Sequence, residues 1–194
     1  MKFISKRYVV KIPSEISVLY CSKKKTLLIK NNYRQKLLKL KVKLLVLKEK
    51  NLLVVTNIPF KKNSNKWQNL FKSLQGTTLS LIKQAFSEIS VLTCKKLKLV
   101  GVGYKVFESE VNNNKDFKLL HLKLGHSHSL YYKIPKNIKV MIRQSTKLFV
   151  FGHEFSKVCL VAGVLRGFKT PEPYKGKGIL YSNEIIKLKE GKKV

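Results

Sequence analysis

The feature that most constrains the fold is a segment that occurs twice. Ile12-Pro13-Ser14-Glu15-Ile16-Ser17-Val18 returns as Ile134-Pro135-Lys136-Asn137-Ile138-Lys139-Val140, each an isoleucine-proline corner leading into alternating apolar residues. Each is followed, after a short polar turn, by a second apolar run, Leu27-Leu28-Ile29 in one case and Leu148-Phe149-Val150 in the other. A single match of this length arises by chance, but the corner, the spacing and the second run recur together and point to an internal duplication. The expectation is an α+β chain of two duplicated domains, 1–91 and 92–194, each a small, mostly antiparallel sheet packed against one principal helix.

The periodicities place those elements. Leu38, Leu40, Val42, Leu44 and Val46 alternate with Lys39, Lys41 and Lys43, which predicts one strand with a buried face and a lysine ladder opposite. Leu52 to Ile58 reads as the next strand, ended at Pro59, with Lys61 to Asn65 supplying a helix cap. A helix beginning near Lys66 follows, its stripe formed by Trp67, Leu70, Phe71, Leu74, Thr78, Leu81, Ile82, Ala85 and Ile89. Gly76 within it marks either close backbone packing or a break, since glycine costs a helix about 1 kcal/mol relative to alanine.

In the second half, Lys95 to Glu108 reads as one long strand and Phe117 to Leu124 as its hairpin partner, across a polar turn at Asn112 to Lys115. Tyr131 to Ile134, Ile138 to Arg143 and Lys147 to Phe151 are further strands. Glu154 to Arg166 is the second helix, burying Val158, Val161, Ala162 and Leu165.

Charge then narrows the function. The chain of 194 residues carries 41 Lys+Arg against 10 Asp+Glu, a formal +31, and so large a single-sign excess repels itself unless an anionic partner neutralises it. Nucleic acid is the simplest such partner. The lysines interleave with apolar residues from Lys2 to Lys193 and do not form a tail, so the basic surface is built into folded elements. Only Arg7, Arg34, Arg143 and Arg166 are arginines, and lysine suits point contacts with phosphates better than bidentate reading of base edges.

Other classes find little support. Cys21, Cys94 and Cys159 are widely spaced and odd in number, which favours buried thiols over a zinc ribbon or a disulfide framework. His126-x-His128 lacks a third and fourth metal ligand nearby. Gly101-x-Gly103 lies within a strand pattern and lacks the remaining glycine of a dinucleotide fingerprint, so it reads as a bulge or bend. No apolar run approaches the ~20 residues of a membrane span, and Met1 to Ile12 has no signal-peptide character. No nucleophile-base pair or paired carboxylate emerges, so the expectation is a non-enzyme without cofactor, metal or small-molecule substrate.

The most specific segment is Pro171-Glu172-Pro173-Tyr174-Lys175-Gly176-Lys177-Gly178-Ile179. Prolines fix an extended approach, and glycines flanking lysines let a backbone come close to phosphates that Lys175 and Lys177 neutralise, with Tyr174 free to stack on a base or ribose. This segment resembles the C-terminal signature of the large-subunit ribosomal protein six family. The resemblance extends through LVGVGYKV (Leu99 to Val106), LKLGHSHSL (Leu122 to Leu130), the IPKNIKV corner and Arg166. It continues more weakly through the first corner and Gly76-Thr77-Thr78. The chain departs from the family pattern at His126 and Ser129, where tyrosine and proline are usual, and in the segment from Glu154 to Leu160. RNA contacts at those altered positions are therefore not supported by the resemblance.

The resemblance implies a protein that holds large-subunit rRNA near the sarcin-ricin loop, among neighbouring large-subunit proteins and close to where translational GTPases dock. Its candidate rRNA-binding residues are Lys157, Arg166, Lys169, Tyr174, Lys175, Gly176, Lys177, Gly178, Tyr181, Ser127 and His128. The Lys-, Asn- and Ile-rich composition fits an AT-rich genome, so the expected location is a mitochondrial ribosome, with a plastid or a bacterial cytoplasm as alternatives. The rival reading is a free basic nucleic-acid-binding protein outside the ribosome.

Overall fold

The computed structural model describes residues 8–60, 68–110 and 118–191. The cap at Lys61 to Asn65, the helix start at Lys66 with Trp67, the turn at Asn112 to Lys115 and the first seven residues lie outside them. The chain divides into two compact units, Met1–Val91 and Leu92–Val194, each with its own apolar core.

The first unit contains β1 (Val9–Lys11), β2 (Ser17–Cys21), β3 (Thr26–Lys30), β4 (Gln35–Lys39), β5 (Val42–Leu47), β6 (Leu52–Pro59) and α1 (Gln68–Ser90). Its strands form two antiparallel sheets, β1-β6-β5 and β2-β3-β4. The second unit contains β7 (Thr93–Val100), β8 (Lys105–Glu110), β9 (Lys118–Lys123), β10 (Leu130–Lys133), β11 (Ile138–Arg143), β12 (Lys147–Gly152), α2 (Phe155–Gly167) and β13 (Gly178–Tyr181). Here the antiparallel sheets are β10-β9-β8 and β11-β12-β7-β13.

The repeated corner has one geometry in both units. Ile16 N–H donates to the Pro13 carbonyl at 3.1 Å and Ile138 N–H to the Pro135 carbonyl at 3.0 Å. Each closes a turn that drives a buried isoleucine into its core and launches a hairpin, β2-β3 or β11-β12. The sheets also correspond strand for strand. The strand before the corner (β1 or β10) pairs with β6 or β9, which pairs with β5 or β8. The corner's hairpin pairs with β4 or β7. In the first unit β4 to β6 follow the corner, whereas in the second β7 to β9 precede it.

Two expected strands are each broken in two. The alternation from Leu38 to Val46 spans β4 and β5, which belong to different sheets, with Leu40 N–H bonded to the Lys25 carbonyl (2.8 Å) and Lys41 O accepting from Phe60 (3.3 Å) between them. Leu40, Val42 and Leu44 are all buried, because the chain changes sheets while keeping the same side inward. The long strand from Lys95 to Glu108 breaks likewise at Gly101 and Gly103 (φ 149° and 77°). There, Tyr104 tucks under Gly101 so closely that a Cβ at Gly101 would stand 2.8 Å from its ring.

The helices follow their stripes with two corrections. On α1 the buried positions are Gln75, Thr78, Ile82, Ala85, Phe86, Glu88 and Ile89, while Leu81 is half exposed, because it sits about 100° round the helix from Ile82. Gly76 neither breaks the helix nor packs closely, since nothing lies within 4 Å of where its Cβ would be. On α2 the buried residues are Val158, Val161, Ala162 and Leu165, packed against β7, β12 and β13. The three cysteines are free and only partly buried, contrary to the expectation of buried thiols. Among the described residues no helix is long and apolar enough to cross a membrane.

Leu165 has no exposed surface and closes the second core from the helix side. Leu165→Ala is expected to cost about 2–5 kcal/mol, lowering the melting transition of the C-terminal unit, and calorimetry on the full chain measures the shift.

Candidate nucleic-acid interface

The segment from Pro171 to Ile179 folds back on itself before entering β13. Glu172 N–H donates to the Lys177 carbonyl (2.9 Å) and Gly176 N–H to the Glu172 carbonyl (3.0 Å), so the chain between them is a closed loop with Tyr174 and Lys175 at its tip. Tyr174 is 53% exposed and Lys175 is exposed. Among the described residues neither Lys175, Lys177 nor Lys169 is paired with a carboxylate.

The two glycines serve different ends. Gly176 has φ +67°, a conformation that side chains other than glycine, asparagine and aspartate rarely adopt, and its open side faces Leu188, 3.4 Å from a built Cβ. Gly178 has φ +151°, and a Cβ there would stand 2.7 Å from Pro171 Cα. Its requirement comes from the protein's own backbone, which crosses itself at the neck of the loop. Ile179 N–H closes that neck on the Lys169 carbonyl (2.9 Å), and Lys189 N–H donates to the Pro173 carbonyl (2.9 Å), so the chain beyond β13 braces the loop from behind.

Arg166, near the end of α2, is held by Glu184. Its Nε donates to Glu184 Oε2 at 3.0 Å, its Nη2 donates to Oε1, and its guanidinium lies over the Tyr181 ring at 5.9 Å. The same carboxylate accepts from Tyr181 N–H at 3.2 Å. The hydrogen bonds from Arg166, more than anything else, hold the Glu184 carboxyl below the usual carboxylate range, and the bond to Glu184 raises the Arg166 guanidinium. Periodicity offers no sign of this clamp, since the partners stand 18 positions apart.

The bend at Gly125 to His128 approaches the same corner, with His126 Nε2 3.4 Å from the Phe168 carbonyl and the His126 and His128 rings stacked at 6.0 Å. Tyr104 lies beneath Gly125, so the bend rests on a buried ring. Of the candidate residues, Arg166, Lys169, Tyr174, Lys175, Gly176, Lys177, Gly178 and Tyr181 gather around one loop and helix end, and Ser127 and His128 belong to the bend beside it. Lys157 does not join them. It stands nine positions before Arg166, about 14 Å along the axis at 1.5 Å per residue, with Nζ 2.9 Å from Glu154.

The arrangement is a braced loop with a cationic tip beside a neutralised arginine. Loops of this kind suit phosphate contact, because unpaired ammonium groups presented on fixed backbone need little reordering to bind.

Residues 100–182 match the family described as Ribosomal protein L6. The chain is 41% identical over 121 residues to the large ribosomal subunit protein uL6 of Chloroherpeton thalassium, covering 62% of this chain and 64% of that protein. It is 34% identical over 149 residues to uL6m of Prototheca wickerhamii (75% and 77%) and 37% identical over 131 residues to uL6c of Arabidopsis thaliana (68% and 52%). The chain thus spans less than two thirds of the length of two of these three relatives.

Because Glu184 is lowered, the stability it supplies is present above the carboxylate's unfolded pKa and fades as the pH falls through its folded value. Glu184→Gln is expected to cost about 1.5 kcal/mol at neutral pH and to flatten the acid limb of stability. Thermal melts of both chains from neutral to acidic pH check this, and parallel acid limbs would mean the clamp contributes nothing.

Proposed function

This chain belongs to the ribosomal protein L6 family, and from that premise we propose that it works as a structural, non-enzymatic constituent of the large ribosomal subunit, bound to large-subunit rRNA through the loop from Pro171 to Ile179. Lys169, Lys175 and Lys177 neutralise phosphates in this reading, and Tyr174 stacks on an unpaired base or ribose. Arg166 and Tyr181, joined through Glu184, brace the loop's base and present one guanidinium edge to the RNA. Ser127 and His128 add sugar or phosphate contacts from the neighbouring bend, and Lys157 extends the basic surface along α2. The observation that carries the proposal is the unpaired lysine tip on a self-closed loop, in a chain with 41 cations and 10 acids.

The RNA would lie near the sarcin-ricin loop, with neighbouring large-subunit proteins and docking translational GTPases close by, and the work would be to keep that RNA in a factor-competent shape. A mitochondrial ribosome is the location we favour, supported by the composition and by the likeness to a protein named uL6m. A plastid or bacterial ribosome is the alternative.

Lys175→Ala combined with Lys177→Ala should lower incorporation into the large subunit and slow GTPase-dependent elongation, while leaving the melting transition in place. Gly176→Val should do comparable damage with no change of charge, because a β-branched residue at φ +67° is strained. Affinity of the isolated chain for rRNA should fall steeply with salt, with a log-log slope of about 0.7–0.9 per phosphate neutralised, reduced by about two such steps in the double variant. A chain that never cosediments with the large subunit in moderate salt is a free nucleic-acid binder, and the proposal fails.

A further inference from the structure

The outer face of the β10-β9-β8 sheet carries a feature the loop reading does not use. Phe107, His121 and Tyr131 are register partners on three adjacent strands, so their rings form one row straight across the sheet. His121 and Tyr131 are stacked, with centroids 4.9 Å apart and planes 12° apart, and Phe107 and His121 lie 6.2 Å apart at 33°. Cross-strand aromatic pairs stabilise a sheet, yet the two outer rings remain largely wet, Phe107 at 42% and Tyr131 at 63% exposure. The core does not need them, because the opposite side chains, Val106, Leu120 and Leu122, already fill the inner face.

The surroundings of the row are cationic. Lys105 and Lys123 are register partners in the next row on the same face, and Lys133 stands opposite Leu119 in the row beyond. None of the outward positions described on these three strands is acidic: they are Lys105, Phe107, Ser109, Leu119, His121, Lys123, Tyr131 and Lys133. An open groove of about 1310 Å³ begins beside Phe107, lined by Lys118, Lys136 and Lys139 and by one acid, Glu108, which stands 4.0 Å from Lys118 Nζ. His121 Nε2 is covered by its neighbours but meets no hydrogen-bond partner among the described residues. Aromatic rings on an open sheet and lysines along both margins together match what unpaired nucleotides need: π-faces for bases and ammonium groups for the phosphates between them. A protein neighbour would match the rings, but it would have to bring carboxylates for the lysines.

We propose that the Phe107–His121–Tyr131 row is a second RNA contact, on which two or three unpaired bases stack while Lys105, Lys123 and Lys133 take the adjoining phosphates. This rests on the reading that the chain binds rRNA, but it uses a different sheet from the loop and a row of three rings where the loop offers only Tyr174.

The test measures binding of the full chain to a short labelled oligouridine and to a short RNA duplex. Phe107→Leu with Tyr131→Leu keeps apolar area and removes the π-faces. It should weaken oligouridine binding by roughly twenty-five-fold or more, since each of the two lost stacks is worth at least about fivefold, and change duplex binding by less than about twofold. Tyr131→Phe should bind as the parent does, and thermal melts confirm that the leucine variant is folded. The Lys175→Ala, Lys177→Ala chain separates the two readings, because it should lose affinity for both RNAs. Unchanged oligouridine affinity in the leucine variant overturns the stacking row and leaves the loop reading intact. An equal loss on single strand and duplex also overturns it. So does normal RNA binding combined with failure to join the large subunit, which would assign the face to a protein neighbour. A parent chain that binds neither RNA overturns both readings.

Discussion

Everything in this molecule is arranged around a shortage of carboxylates. With 41 cations and 10 acids, most lysines have no partner to follow them into an interior, and burying an unpaired ammonium costs several kcal/mol. The chain must therefore keep lysine and leucine apart at every step, and the β-strand, which sends successive side chains to opposite faces, does so with a period of two. On β5, Val42 and Leu44 face inward while Lys43, and Lys41 just before the strand, are exposed; on β11, Ile138 and Val140 are buried beside exposed Lys139. Where an acid is available it is used in place: Glu88, nearly buried on α1, is bonded to Lys36 and accepts from Gln84 at 2.7 Å, and Glu184 neutralises Arg166.

That segregation explains what could be read from residues alone. The corners at Pro13 and Pro135, the lysine ladder and the stripe of α2 are statements about which side of an element is wet, and a one-dimensional pattern records them directly. A pattern of sides carries no information about which sheet a strand joins. Leu38 to Val46 and Lys95 to Glu108 therefore read as single strands, although the chain leaves one sheet for another at Leu40 and at Gly101. From Leu38 to Leu44 the inward side stays on even positions, so that alternation shows no break, whereas across Gly101–Tyr104 it passes from odd positions (Leu97, Leu99) to even ones (Tyr104, Val106), and the intervening glycines hide the shift. Leu81 failed for the related reason that it borders the stripe, where apolarity alone does not decide.

The candidate site was legible as a segment and much less as a mechanism. Tyr174, Lys175 and Lys177 stand out through their composition, and Gly176 needs its glycine for the reason the turn suggests. Gly178 needs it because the Pro171 backbone lies against it, a contact between positions that only the closed loop brings together. Arg166 announced a cation, but its tether to Glu184 depends on how the chain beyond β13 returns. The row of Phe107, His121 and Tyr131 was invisible for a stricter reason: three residues on three strands become neighbours only once register is known.

The corners between sheets have a consequence for how such a chain can change length over time. At Leu40–Lys41 the inward positions stay in phase and at Gly101–Tyr104 they shift by one, so the length of each corner fixes the parity of the strand that follows. Adding or removing one residue there would turn every downstream lysine of β5 or β8 toward the core and every valine toward water, whereas a change of two would restore the phase. Insertions and deletions at these points should accordingly survive in even steps, while the polar connections elsewhere are free to vary in length.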